Sequence, residues 1–242
     1  MRRIFLLSPA KVSGVRAQQL LNPHATFELA RRFHVEGLPL AEIFAFTSAL
    51  YFRGKIAYAR RFTQTDDGDV IRIITANAGL IEPERVFTPV ELQAFGADDI
   101  CEDNLRYYTP LLRDALHFAG KLPTDGRAIL LGSIATRKYR DVLLTAFGER
   151  LVFPEDFVGR GDMSRGGLML QAVRTGNELP YRIVRGAVLT GKRAPRLDRN
   201  QGRMNTERED GSAPKSSHEV NEEHDHGSIR EIDQPCAHQQ NH

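Results

Sequence analysis

Apolar residues along this chain follow two alternating rhythms. Short continuous runs at 3–8 (RIFLLS), 70–76 (VIRIITA), 127–133 (RAILLGS) and 150–154 (RLVFP) are β-branched or leucine-rich. Runs of that length predict buried strands. Between them the apolar positions recur at helical spacing. In 25–34 these are Phe27, Leu29, Ala30 and Phe33, with Thr26 available as a cap. The stretch 39–62 reads as one helix in which Gly54 marks a break or a close approach. Leu112, Ala115, Leu116 and Ala119 share a face in 111–122, 135–148 ends at Gly148, and 168–176 ends at Gly176. A strand or hairpin at 180–191 closes the pattern.

Strands alternating with helices predict an α/β fold: a largely parallel sheet with helices on both faces. Residues 1–194 make one domain on this reading. From Pro195 onward the large apolar residues are Leu197, Met204, Val220, Ile229 and Ile232. That is too little apolar surface to offset chain entropy, so 195–242 reads as a disordered tail. Its EEHDH cluster, with His218, His224 and His226, reads as a solvated acidic segment or a loose divalent-metal site.

Charge changes this picture only at the level of partners. The 33 Lys/Arg and 31 Asp/Glu are unevenly shared: 6 and 10 of them lie from Pro195 onward, leaving 27 and 21 before it. A moderately basic body suits an anionic partner such as nucleic acid or nucleotide. No apolar run nears the roughly 20 residues of a membrane span. Ile4–Leu7 is also shorter than the ~7–15 apolar residues of a signal peptide. The expectation is a cytoplasmic protein with no membrane partner. Two cysteines, Cys101 and Cys236, make no disulfide framework or zinc site. The acidic neighbours of Cys101 argue against a reactive thiol.

In such sheets ligands bind beyond the carboxyl ends of the strands. Three loops leave predicted strands there: SPAK (8–11), ANAGLIEPE (76–84) and GSIATRKY (132–139). With parallel strands, Ser8, Lys11, Asn77, Glu82, Ser133, Arg137 and Lys138 share one rim. Each loop also has a purely structural reading. Ser8–Pro9 can start a helix, Asn77 and Gly79 can make a turn, and Ser133 or Thr136 can cap the following helix. That helix start, with Arg137 and Lys138 beside it, suits phosphate or carboxylate. Neither a P-loop nor a dinucleotide fingerprint is present, so no cofactor is expected. In FVGRGDMSRGGLML (157–170), glycines flank Arg160 and Arg165 ahead of a helix. Either the arginines clamp an anion, or Asp162 pairs one of them in a helix-entry turn.

These segments, in order, resemble the YaaA-type peroxide-stress proteins and their shorter relatives. The carriers are Ser8-Pro9-Ala10-Lys11, then Gly79, Leu80, Pro83, Val86, Pro89 and Leu92, then GSIATRKY, then Arg160, Gly161, Met163 and Arg165. Val90 and Ala78 stand where that family carries tyrosines, and Arg137 and Lys138 replace acidic or polar residues. The resemblance implies a cytoplasmic nucleic-acid- or nucleotide-associated protein, linked to limiting oxidative damage to DNA, with phosphates held by an arginine-rich cleft. The competing reading is an enzyme acting on a nucleotide or nucleobase by N-glycosidic or phosphate chemistry. Asn77, Glu82 and Glu91 would then supply acid/base or base-recognition groups. No ligand-like spacing of His, Asp or Glu suggests a metal in the body. A third reading leaves the binding to the tail.

Overall fold

A computed structural model describes residues 2–188 and Gly191, apart from Thr65 and Asp67. The tail predicted from 195 onward, with Cys236 and the EEHDH cluster, lies outside the described residues. The element order is β1 (Arg3–Leu7), α1 (Val15–Leu21), α2 (Glu28–Glu36), β2 (Leu38–Pro39), α3 (Leu40–Thr47), α4 (Ala49–Phe62), β3 (Val70–Ile74), β4 (Leu80–Ile81) and β5 (Val86–Phe87). It continues with α5 (Pro89–Gly96), α6 (Leu105–Lys121), β6 (Arg127–Leu131), α7 (Arg137–Phe147), β7 (Leu151–Pro154), α8 (Asp162–Thr175) and β8 (Tyr181–Ile183).

The expected α/β architecture is present. Six strands form one sheet in the order β4-β3-β1-β6-β7-β8, and β2 pairs with β5 in a separate two-stranded ribbon. β3, β1, β6 and β7 run parallel to one another, whereas β4 and β8 are antiparallel edges. The central strands are buried on both faces: Ile4–Leu7 and Ala128–Leu131 are fully inaccessible. This is why they read as continuous apolar runs, and each such side chain contributes about 1.5–3 kcal/mol by leaving water. From β1 the chain moves to β3 on one side, then returns past β1 to β6 and on to β7. Right-handed crossovers in opposite directions place the intervening helices on opposite faces. Accordingly α4 packs on α8, and α6 packs on α7.

Several local predictions shift. The stretch 39–62 is two helices, α3 and α4, separated at Ser48. Thr26 caps nothing; the N-cap of α2 is Phe27 and offers no side-chain bond. Helix α8 begins at Asp162, so most of the glycine–arginine segment is already helical. Gly54 is a close approach, and its partner is another glycine. A Cβ on Gly54 would sit 2.8 Å from the Gly166 carbonyl oxygen, and one on Gly166 would sit 2.8 Å from that of Leu50. The two glycines let the backbones of α4 and α8 touch.

The first strand is tied to the last. Arg3 donates from Nε to Asp69 (2.9 Å) and from Nη1 to Glu178 (2.9 Å), and also bonds the Phe62 carbonyl. The Tyr181 hydroxyl donates to Glu178 (2.7 Å) and meets the Tyr58 hydroxyl at 2.8 Å; Tyr58 accepts from the Leu179 N–H. Burial pushes the Tyr58 phenol up to about 12.

Candidate functional site

Counted in chain order, the four parallel strands lie in the spatial order second, first, third, fourth. The direction of winding therefore reverses between β1 and β6. At that point the helices leave on opposite faces, and doubly wound sheets usually hold their ligand in a crevice beyond these strand ends. The residues at this crevice are Ser8, which follows β1, and 132–136, which follow β6. Ser8 continues the parallel ladder, donating its N–H to the Leu131 carbonyl at 3.2 Å. Gly132 lies directly against it: a Cβ there would be 2.9 Å from Ser8 Cβ and 3.1 Å from Ser8 Oγ. No larger residue fits without displacing the serine.

The sequence reading missed the residue that most distinguishes this site. Lys55 of α4 is 1 % exposed. Its Nζ lies 2.6 Å from Ser8 Oγ and 3.0 Å from the Ser8 carbonyl oxygen, and 3.8 Å from the centre of the Tyr51 ring. The signal was visible in the sequence. Tyr51, Phe52, Lys55, Ile56 and Ala59 form one helical stripe, and all five are buried. A lysine on such a stripe is a polar group in a core position, which requires specific partners.

From the other face, helix α7 points its N-terminus at the crevice. Its N-cap, Thr136, is 4 % exposed and makes no capping bond, and its Oγ1 is buried with no hydrogen-bond partner. Ser133, also buried, accepts from the Ala135 N–H at 3.3 Å. The helix N-terminus carries partial positive charge and free N–H groups. An orphaned buried hydroxyl at that position costs about 1–3 kcal/mol unless a partner arrives.

The remaining predicted residues divide sharply. The segment 155–165 follows β7 and so occupies the same rim, but its arginines hold the segment itself. Arg165 donates to the Phe157 carbonyl (3.2 Å), pairs with Asp162 (3.4 Å) and lies over the Phe157 ring. Arg160 donates to the Asp156 carbonyl (3.0 Å) and to Ser164 Oγ (3.2 Å). Arg137 is an exposed first-turn residue paired with Asp141 at 2.8 Å. Burial pushes the Asp141 carboxyl up, but the bonds from Arg137 and Arg140 outweigh it and hold the group below its ordinary value. The Lys138 carbonyl accepts from the Tyr107 hydroxyl at 2.8 Å, and Lys11 is exposed.

The three acid/base candidates do not come together. Asn77 donates to the Ala94 carbonyl (3.1 Å) and to Asp98 (2.7 Å), fastening its loop to the end of α5. Its neighbour Gly79 takes the positive φ of the turn reading, and a Cβ there would meet the Pro110 carbonyl at 2.8 Å. Glu82 leaves the rim because β4 runs antiparallel; it is exposed and pairs with Arg72 at 2.8 Å. Glu91 is half of a capping box with Thr88 that starts α5. The Thr88 N–H holds the Glu91 carboxyl below its ordinary value. These are structural assignments, and the enzyme reading built on the trio loses its acid and base.

Cys101 is buried and is not a free thiol. Among the described residues no group of three or more His, Cys, Asp or Glu is placed to hold a metal, and no helix is long and apolar enough to cross a membrane. No protein family, curated protein or solved structure matches the chain.

Proposed function

We propose that the protein binds a phosphate-bearing ligand, a nucleotide or a nucleic-acid terminus, in the crevice between β1 and β6. The observation that carries this reading is the buried Thr136 hydroxyl, unpartnered at the N-cap of α7. A phosphate there would accept from that hydroxyl and from the free N–H groups of the first turn. Ser8, which lies against Gly132, adds a hydroxyl from the neighbouring strand end. The resemblance to YaaA-type proteins supports the same ligand class and would place the chain in protection of DNA.

The geometry favours one phosphate group over a long duplex. Arg137 and Arg165, which a tracking surface would use, are engaged with Asp141 and Asp162. Neutralising one or two phosphates gives a log–log salt slope of roughly −1 to −2, against much steeper slopes for a duplex-tracking surface. The test is calorimetric titration with inorganic phosphate, nucleoside 5′-monophosphates and a 5′-phosphorylated oligonucleotide at several salt concentrations. Thr136→Val should weaken binding roughly tenfold, the loss of one hydrogen bond to a charged group. Binding that is unaffected by Thr136→Val, or absent for every one of these ligands, overturns the proposal.

A further inference from the structure

The contact between Ser8 and Lys55 is more than an anion site requires. A phosphate cradle needs donors that face outward, whereas here Lys55 Nζ is turned onto the serine itself, 2.6 Å from Oγ. A second bond to the Ser8 carbonyl at 3.0 Å and the Tyr51 ring at 3.8 Å fix the direction of the amine. Nζ donates to both Ser8 oxygens in this arrangement, and the same 2.6 Å contact is the path by which an unprotonated amine takes the hydroxyl proton. A nucleophile, a base within hydrogen-bond reach, a group that orients the base, and a helix N-terminus to receive negative charge are the four parts of a nucleophilic site. The first three meet at Ser8, and the fourth begins just beyond the neighbouring strand β6.

We infer that Ser8 is a nucleophile, activated by Lys55, in phosphoryl transfer from the ligand bound at the α7 N-terminus. In the first step the Ser8 Oγ–P bond forms and the ester P–O bond of the ligand breaks. The hydroxyl proton passes to Lys55 Nζ, and from there to the departing alcohol oxygen. In the second step water attacks phosphorus, its proton goes to Lys55, and Ser8 Oγ leaves and regains a proton. The products are the alcohol and inorganic phosphate, with no change of oxidation state. Within each step Lys55 is transiently an ammonium beside the phosphoryl oxygens, where its charge is useful, and between the steps it is a neutral amine again. Gly132 lies against Ser8, where an added Cβ would come within 3.1 Å of the hydroxyl oxygen.

This inference rests on the phosphate-binding reading for its substrate, but its test is independent of it. The wild-type protein is incubated with a small fluorophosphonate and with a sulfonyl fluoride, digested, and mapped by mass spectrometry. Each reagent loses fluoride as its phosphorus or sulfur bonds to a serine oxygen, and the expected adduct is on Ser8. Lys55→Met and Lys55→Arg, checked for folding by thermal melting, should each slow labelling on the order of 100-fold, the usual size of a lost general base. Arginine keeps the charge and cannot accept the proton, so it separates base from structural cation. Absence of a Ser8 adduct with both reagents, or labelling of folded Lys55→Met at the wild-type rate, overturns the inference and leaves the binding reading intact. A Ser8 adduct in a protein that binds no phosphate ligand overturns the binding reading and leaves the nucleophile.

Discussion

Gly54→Ala and Gly120→Ala make the same chemical change inside a helix and should have opposite effects. In either helix the new methyl raises intrinsic propensity, worth about 0.5–1 kcal/mol over glycine. At Gly120 the added carbon meets nothing within 4 Å, so only that gain remains. At Gly54 it meets the Gly166 carbonyl oxygen at 2.8 Å and the Gly166 Cα at 3.0 Å, both backbone atoms that cannot rotate away. Prising α4 from α8 is overpacking, which costs about 1–3 kcal/mol. The net loss is about 1–2 kcal/mol. For a domain of this size that lowers Tm by roughly 2–8 °C. Urea unfolding followed by circular dichroism measures both variants against wild type. A Gly54→Ala midpoint that rises with that of Gly120→Ala would refute the claim that glycine is required by a backbone contact.

Three further outcomes follow from the same geometry. Thr88→Ala should cost about 1 kcal/mol as a lost cap while leaving phosphate binding unchanged; a large binding defect would return the Thr88–Glu91 pair to the site. Because the folded Glu91 pKa is depressed, its contribution is present above the unfolded value of about 4.3 and is lost as pH falls through the folded value. A Glu91→Gln penalty should therefore shrink in urea titrations at progressively lower pH. Arg3→Met removes the cation beside the fully buried Asp69 carboxylate and should cost about 3 kcal/mol, read from the urea midpoint. Tyr58→Phe strands the buried Leu179 N–H and should cost about 1–3 kcal/mol. It should also leave the 295 nm absorbance titration near pH 10 unchanged, because Tyr58 titrates at about 12.

The sheet was legible because β1, β6 and β7 are buried on both faces and β3 is half-buried to buried along its length, so 3–8, 70–76, 127–133 and 150–154 stand out as apolar runs. The break at Ser48 was not, since the apolar spacing runs through it from Leu40 to Ala59. Nor were β2, β4 and β5, which at two residues each are too short to show any period. Ser8 and Ser133 were readable as strand-end polar residues once a parallel sheet was assumed. Lys55 was overlooked because a lysine in a helix is ordinarily a solvent group, and only its place among Tyr51, Phe52, Ile56 and Ala59 says otherwise. The glycines around Arg160 and Arg165 misled for a physical reason. A glycine that admits a ligand and one that admits a neighbouring helix look identical in one dimension, and Gly166 is the second kind.

The tie from Arg3 to Glu178, with β8 closing the sheet beside β7, has a consequence for how the body is made. A ribosome delivers the first strand's guanidinium about 175 residues before its far partner. Until Tyr181–Ile183 emerges, β7 presents a bare ladder edge whose side chains, Val152 and Phe153, belong in the interior. The nascent chain therefore carries a sticky open flank from the completion of β7 at Pro154 until Ile183, and it is sealed only in the final stretch of the body.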